Sequence, residues 1–169
     1  MTSSPELRIL PAGIAEAPVL ALLIAGFRDH LRARAPSDAE IERELPRALA
    51  DPVLEFACAW LGGRPVGYAQ TRFWTSVWAC GIEAQLDDLY VVPSARGRDV
   101  GRSLLRFSVA RAAARGARRF GLTTNEGNEA AQALYHSEGL APQSHALYPG
   151  GREVLWVKDL AAARSDFRR

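Results

Sequence analysis

The sequence predicts an α/β domain with a mixed sheet, and three observations predict it. Between Leu54 and Val92, apolar and alternating runs broken by turn residues read as three antiparallel strands. An arginine-rich stretch, "VVPSARGRDVGRSLLRF", then opens a segment of helical period that runs to about Arg115. Beyond it, "RRFGLTT", Arg118 to Thr124, reads as a strand parallel to the third, because a crossover helix separates the two.

The remaining elements fit that frame. "ELRIL", Glu6 to Leu10, alternates as a short strand and is expected to stop at Pro11. Val19, Leu20, Leu23, Phe27 and Leu31 recur at helical spacing from Pro18 to Arg34, and Pro18 suits a first turn. Ser37-x-x-Glu40 is a capping box for a second helix, which Pro46 is expected to end or kink. Strands Leu54–Leu61 and Pro65–Trp74 join through Gly62-Gly63, and the third runs from about Ile82 to Val92. In the helix after it, Val100, Leu104, Leu105, Val109 and Ala112 face one way, and Arg102, Arg106, Arg111 and Arg115 face the other. Gly116 is a natural stop. Asn128 can cap a helix from Glu129 to Glu138, ended by Gly139. Two late strands, about Ser144–Tyr148 and Glu153–Val157, pair through "PGG", and residues 161–169 read as a fraying basic tail.

Composition narrows the function classes. The chain has 169 residues, enough for one domain, taken here as residues 1–160. Its net charge of +2 argues against a general nucleic-acid binder, whose surface would be strongly basic. Cys58 and Cys80 are too few and too far apart for a disulfide framework, and both read as small buried apolar residues. His30, His136 and His145 show no metal-ligand spacing. The start lacks the pattern of a signal peptide, and no apolar run approaches the ~20 residues that span a bilayer. A cytoplasmic protein without membrane or nucleic-acid partners is the expectation.

The stretch around Arg96 is the first functional signal. A turn from strand into helix exposes unpaired N–H groups at the positive end of the helix dipole. Glycines there admit an anion closely, and arginines add charged hydrogen bonds. By itself the pattern equally describes a solvated surface turn. It has neither the G-K-[ST] of a nucleotide P-loop nor a dinucleotide-binding fingerprint.

A second motif follows one strand later: Asn128-x-x-Ala131-x-x-Leu134-Tyr135-x-x-x-Gly139. Together, strand, Arg-x-x-x-x-Gly, helix, strand and this second motif resemble the GCN5-related N-acetyltransferases, the GNAT superfamily. The resemblance spans about Leu54 to Leu140. It implies a mostly antiparallel sheet of six to seven strands with a splayed parallel pair, flanked by about four helices. It also implies acetyl-CoA as co-substrate, no metal, a small-molecule amine as acceptor, and dimers among relatives. The pantetheine arm would lie along Leu89, Tyr90 and Val91. The pyrophosphate would sit on N–H groups of Gly97, Arg98, Asp99, Val100, Gly101 and Arg102, beside Arg96, with Asn128 holding the coenzyme arm. In the family pattern, Arg/Gln-x-x-Gly-x-Gly/Ala, Arg96 and Gly101 match, but Asp99 stands where glycine is usual. Its carboxylate would repel pyrophosphate unless it points outward or pairs with Arg96 or Arg98.

Acetyl transfer to an amine needs a neutral nitrogen, a polarised thioester and a fate for the departing thiolate. Alternation puts Gln85, Asp87, Leu89 and Val91 on one face of the third strand. Relatives resembling polyamine acetyltransferases carry glutamate at the position of Asp87, which makes Asp87 the candidate base, directly or through water. The alternatives are that it binds a cationic acceptor or pairs with an arginine. Glu83 is the fallback, and Asp88 reads as structural. By the same resemblance the Leu89 N–H donates to the thioester oxygen and Tyr135 protonates the sulfur. Trp74, Trp78 and Phe73 either line an acceptor pocket or pack. The acceptor itself (a polyamine, amino acid or aminoglycoside, or else a protein or peptide amine) stays open, as does a module that binds coenzyme without catalysis.

Overall fold

A computed structural model describes residues 5–148 and 151–160. Seven strands form a sheet ordered β1-β2-β3-β4-β5-β7-β6, with one parallel pair, β4 and β5. The strands are β1 (Leu7–Ala12), β2 (Leu54–Leu61), β3 (Arg64–Ser76), β4 (Gly81–Val91), β5 (Ala117–Asn125), β6 (Ala141–Tyr148) and β7 (Gly151–Asp159). The helices are α1 (Ala17–His30), α2 (Asp38–Ala50), α3 (Val100–Ala114) and α4 (Glu129–Ser137). The predicted fold class is the observed one.

Local chemistry accounts for most boundaries. Pro18 lies in the first turn of α1. Ser37 and Glu40 close a reciprocal capping box on α2, with Ser37 N donating to Glu40 Oε2 at 2.8 Å. Gly62 and Gly63 turn β2 into β3 with φ of 56° and 79°. Asn128 Oδ1 accepts from Ala131 N at 3.2 Å and caps α4.

Four expectations need correction. β1 runs through Pro11 to Ala12, with Pro11 opposite Ala57, because β1 is an edge strand where a missing N–H leaves no ladder bond unmade. α1 stops at His30, where the chain turns left-handed at Arg32 (φ 55°). Of the two expectations for Pro46, an end to α2 is excluded, since the helix continues to Ala50. β6 begins at Ala141, and β7 extends from Gly151 to Asp159 because it pairs along β5 as well as β6. The tail at 161–169 lies outside the described residues.

The chain clusters into two compact units, passing between them within β3, β4 and α3. The first holds residues up to Thr71 together with Asp88–Ser108. Its core packs Leu20, Leu23, Ile41, Leu45, Phe56, Cys58, Tyr68 and Tyr90. Burying each large apolar side chain there contributes roughly 1.5–3 kcal/mol. Phe27 meets Tyr90 at 5.4 Å between ring centroids, and Tyr68 lies 6.4 Å from Tyr90. Gly67 is required by space: a Cβ there would stand 2.5 Å from the Tyr90 carbonyl oxygen. β3 and β4 thus approach where the predicted coenzyme strand begins.

The second unit holds Arg72–Asp87 and the residues from Val109 onward. It buries Phe73, Leu86, Phe120, Leu122, Tyr135, Val154 and Trp156. Within it the parallel register runs from Ile82↔Ala117 to Leu86↔Leu122, with a bulge after Ile82. β4 runs on to Val91 beyond that register.

Candidate active site

The turn into α3 has the conformation that its glycine pattern implies. Gly97 and Asp99 are both left-handed, at φ 74° and 57°, and both are exposed. Nothing lies within 4 Å of a Cβ built at Gly97, so conformation rather than space favours glycine there. Asp99 occupies the family's glycine position in the geometry that asks for glycine, which aspartate tolerates better than most residues.

The Asp99 carbonyl accepts the first helical bond, from Ser103 N at 2.9 Å. The N–H groups of Val100 and Gly101 therefore precede any helical acceptor, at the positive end of the helix. The Asp99 carboxylate is 81% exposed and takes Arg102 Nε at 3.4 Å. It points outward, and its pairing is with Arg102 rather than Arg96 or Arg98.

Arg96 folds back instead. Its Nε donates to the Val91 carbonyl at 3.1 Å, and its Nη2 stands 3.4 Å from His30 Nε2. The guanidinium so holds the end of β4 against the turn. Tyr90 is 5% exposed with its ring in the core, so its side chain is not open to a ligand. Leu89 and Val91 are half-buried.

Asp87 is gripped by an arginine that sequence reading does not single out. Arg72 Nε and Nη2 each donate to one Asp87 oxygen at 3.0 Å. Of the alternatives open for Asp87, the structure contains the arginine pair. Asp87's carboxylate is 21% exposed, and the bond to it raises the pKa of Arg72 above its ordinary value. Finding Arg72 needs the cross-strand register of β3 on β4, which no local motif encodes.

The neighbouring carboxylates are occupied otherwise. Asp88 accepts from the Tyr68 hydroxyl at 3.0 Å, a structural contact that, with burial as the larger cause, pushes the phenol well above its ordinary range. Glu83 takes Arg119 Nη1 at 2.9 Å.

Tyr135 lies on α4, 7% exposed, with its ring edge-on to Trp156 at 6.1 Å. Burial alone pushes its pKa up to about 12. Among the described residues no hydrogen bond reaches its hydroxyl, and the neighbouring Trp156 Nε1 is buried without a partner. Asn128, which starts the same helix, is exposed, with its oxygen engaged by the cap.

The aromatic residues of the β3–β4 hairpin divide. Phe73 is core, with Arg115 3.8 Å above its ring, whereas Trp78 is 92% exposed. Cys58 is buried, but Cys80 is exposed at φ 52° on the hairpin tip, contrary to expectation, because the tip has no core to enter. A cleft of about 240 Å³ between α1 and α2, lined by Pro18, Glu42 and Leu45, contains none of the predicted site residues. Among the described residues no group of three His, Cys, Asp or Glu stands close enough to hold a metal.

A left-handed turn from strand into helix, a seven-stranded sheet with one parallel pair and a capped helix carrying a buried tyrosine are the elements of an acetyltransferase-like α/β fold. The chain belongs to the acetyltransferase (GNAT) family, whose model matches residues 22–139. It is similar in fold to an acetyltransferase from Thermus thermophilus, at 23% identity over 90% of this chain and 96% of that one, with a TM-score of 0.67. It is also similar to an aminoglycoside acetyltransferase, meta-AAC0020, from an uncultured soil metagenomic sample, solved with trehalose, at 16% identity over 85% and 93% and a TM-score of 0.73. A third likeness is Arabidopsis thaliana NAA60 with a bisubstrate analogue, at 16% identity over 91% and 98% and a TM-score of 0.72. The sequence has no significant match among curated proteins.

Proposed function

We propose that the protein transfers the acetyl group of acetyl-CoA to a primary amine of a small molecule, by direct attack in a ternary complex. The observation that carries this reading is the turn at Gly97–Arg102: two left-handed residues, the Val100 and Gly101 N–H groups ahead of the first helical bond, and the Asp99 carboxylate turned out to Arg102. The turn suits a pyrophosphate despite the departure from glycine, because the Asp99 carboxylate faces water. Membership of the acetyltransferase family supports acetyl transfer, and the aminoglycoside enzyme among the fold relatives is a precedent for a small amine on this fold.

The bond changes balance without a covalent enzyme intermediate. The amine nitrogen bonds to the thioester carbon and the carbon–sulfur bond breaks with its electron pair on sulfur; an acceptor arriving as ammonium gives up two protons, one released to water and one that sulfur finally takes. The Leu89 N–H is the donor assigned to the thioester oxygen. Asp87 retains lone pairs beside its two bonds to Arg72, so it can accept from the incoming ammonium directly or through water.

Tyr135 has a more limited part than full proton donation. Its phenol, pushed up to about 12, is a weaker acid than a thiol of ~8.5, so complete transfer to thiolate is uphill by roughly three units. It serves as a hydrogen-bond donor that stabilises charge developing on sulfur, and it remains protonated across the working range. Initial-rate kinetics test the reading: intersecting patterns for acetyl-CoA and amine are expected, whereas parallel lines with an acetylated enzyme contradict direct attack.

A further inference from the structure

The Arg72 guanidinium has two edges on which a carboxylate can bind through paired N–H groups. Asp87 takes the Nε–Nη2 edge, with both bonds at 3.0 Å. The ring of Trp74 lies 5.5 Å from the guanidinium carbon and holds one face. The edge formed by Nη1 and Nη2 remains. Among the described residues no hydrogen bond reaches Nη1, and the side chain is 48% exposed. An arginine fixed on one edge and one face has already lost most of its rotamer freedom, so its open fork is arranged for a second planar oxyanion.

The charge pattern points to the same ligand. Asp87 neutralised by Arg72 offers a polycation no net negative charge, and the open fork repels one. A zwitterion meets both signs: its carboxylate faces Arg72 and its ammonium faces Asp87, the candidate base. The geometry points to Arg72 as the anchor for a carboxylate on the acceptor, which makes the acceptor an α-amino acid rather than a polyamine. This rests on the reading of the protein as a small-amine acetyltransferase.

Matched acceptors test it in a thiol-release assay: alanine beside ethylamine, lysine beside cadaverine, phenylalanine beside phenethylamine. Wild type is expected to prefer the carboxylated member by about ten- to a hundredfold in kcat/KM, mostly through KM, the range for a charged hydrogen-bonded pair. Arg72→Gln should abolish the preference, and Arg72→Lys should retain part of it. The ratio is internal to each variant, so a loss of folded protein does not imitate the result. Equal rates within pairs for wild type, or an undiminished preference in Arg72→Gln, overturn the anchor. If coenzyme binds but no amine releases thiol, the acetyltransferase reading fails. Calorimetric titration of the same amino acids into CoA-saturated protein then judges the anchor separately. Binding that Arg72→Gln removes supports it, and no binding, or binding unchanged in the variant, overturns it.

Discussion

Asp99 and Arg102 form an i,i+3 pair at the mouth of α3, 3.4 Å from Oδ1 to Nε, with the aspartate main chain at φ 57°. The pair draws the carboxylate into solvent, and the backbone adopts what glycine would have supplied. A turn that departs from the family pattern in composition therefore keeps its shape.

Replacement of Asp99 separates shape from charge. Asp99→Gly is expected to change stability by less than ~1 kcal/mol, since relief of left-handed strain offsets greater freedom in the unfolded chain. Asp99→Val should cost ~1–2 kcal/mol, because a branched side chain resists positive φ. Both are read from denaturant unfolding. Asp99→Gly should also tighten acetyl-CoA binding by calorimetry, and the gain should shrink in high salt. Weaker binding would mean that Asp99 contributes to the coenzyme site.

Gly67→Ala places a methyl 2.5 Å from the Tyr90 carbonyl oxygen, a main-chain atom that cannot rotate away. A loss of ~2–4 kcal/mol in unfolding free energy is expected. A variant of unchanged stability would contradict the close approach of β3 and β4.

Tyr135→Phe removes one hydroxyl that has no protein partner among the described residues, so folding should be nearly unaffected. kcat should fall by roughly a hundredfold, the scale of one lost donor to developing charge, with little change in acetyl-CoA affinity. A drop in stability with kcat intact would make Tyr135 a packing residue only.

Alkaline stability follows from buried protons. Burial pushes Cys58 and Tyr135 up to about 12, from ordinary values of 9.0 and 10.0, and raises Tyr68 further. The folded chain keeps these protons where the unfolded chain releases them. Their contribution is full below pH 9 and is lost as pH rises toward 12, Tyr135 alone accounting for ~2–3 kcal/mol. Unfolding midpoints between pH 8 and 12 should fall steadily, and less steeply in Cys58→Ala. A flat profile would contradict the burial.

Much of the fold is legible in the chain because its signals are local. The capping box at Ser37, the Gly62-Gly63 turn, the cap at Asn128 and the period of α3 each depend on residues a few positions apart. What the sequence does not disclose is set by partners distant along the chain. Pro11 stays within a strand because its edge faces no neighbour, and Asp87 meets Arg72 because two strands happen to share a register. The motif makes Arg96 a phosphate ligand, yet its observed bonds go to Val91 and His30, the second of which lies on a different element.

The central claim is acetyl transfer to a small amine. Its most direct test is acetyl-CoA-dependent thiol release by purified protein across a panel of amino acids, polyamines, aminoglycosides and peptides. Release with at least one small amine, abolished or severely reduced by Tyr135→Phe, is the predicted result. Coenzyme binding without release for any amine would contradict it and leave a coenzyme-binding module of the same fold.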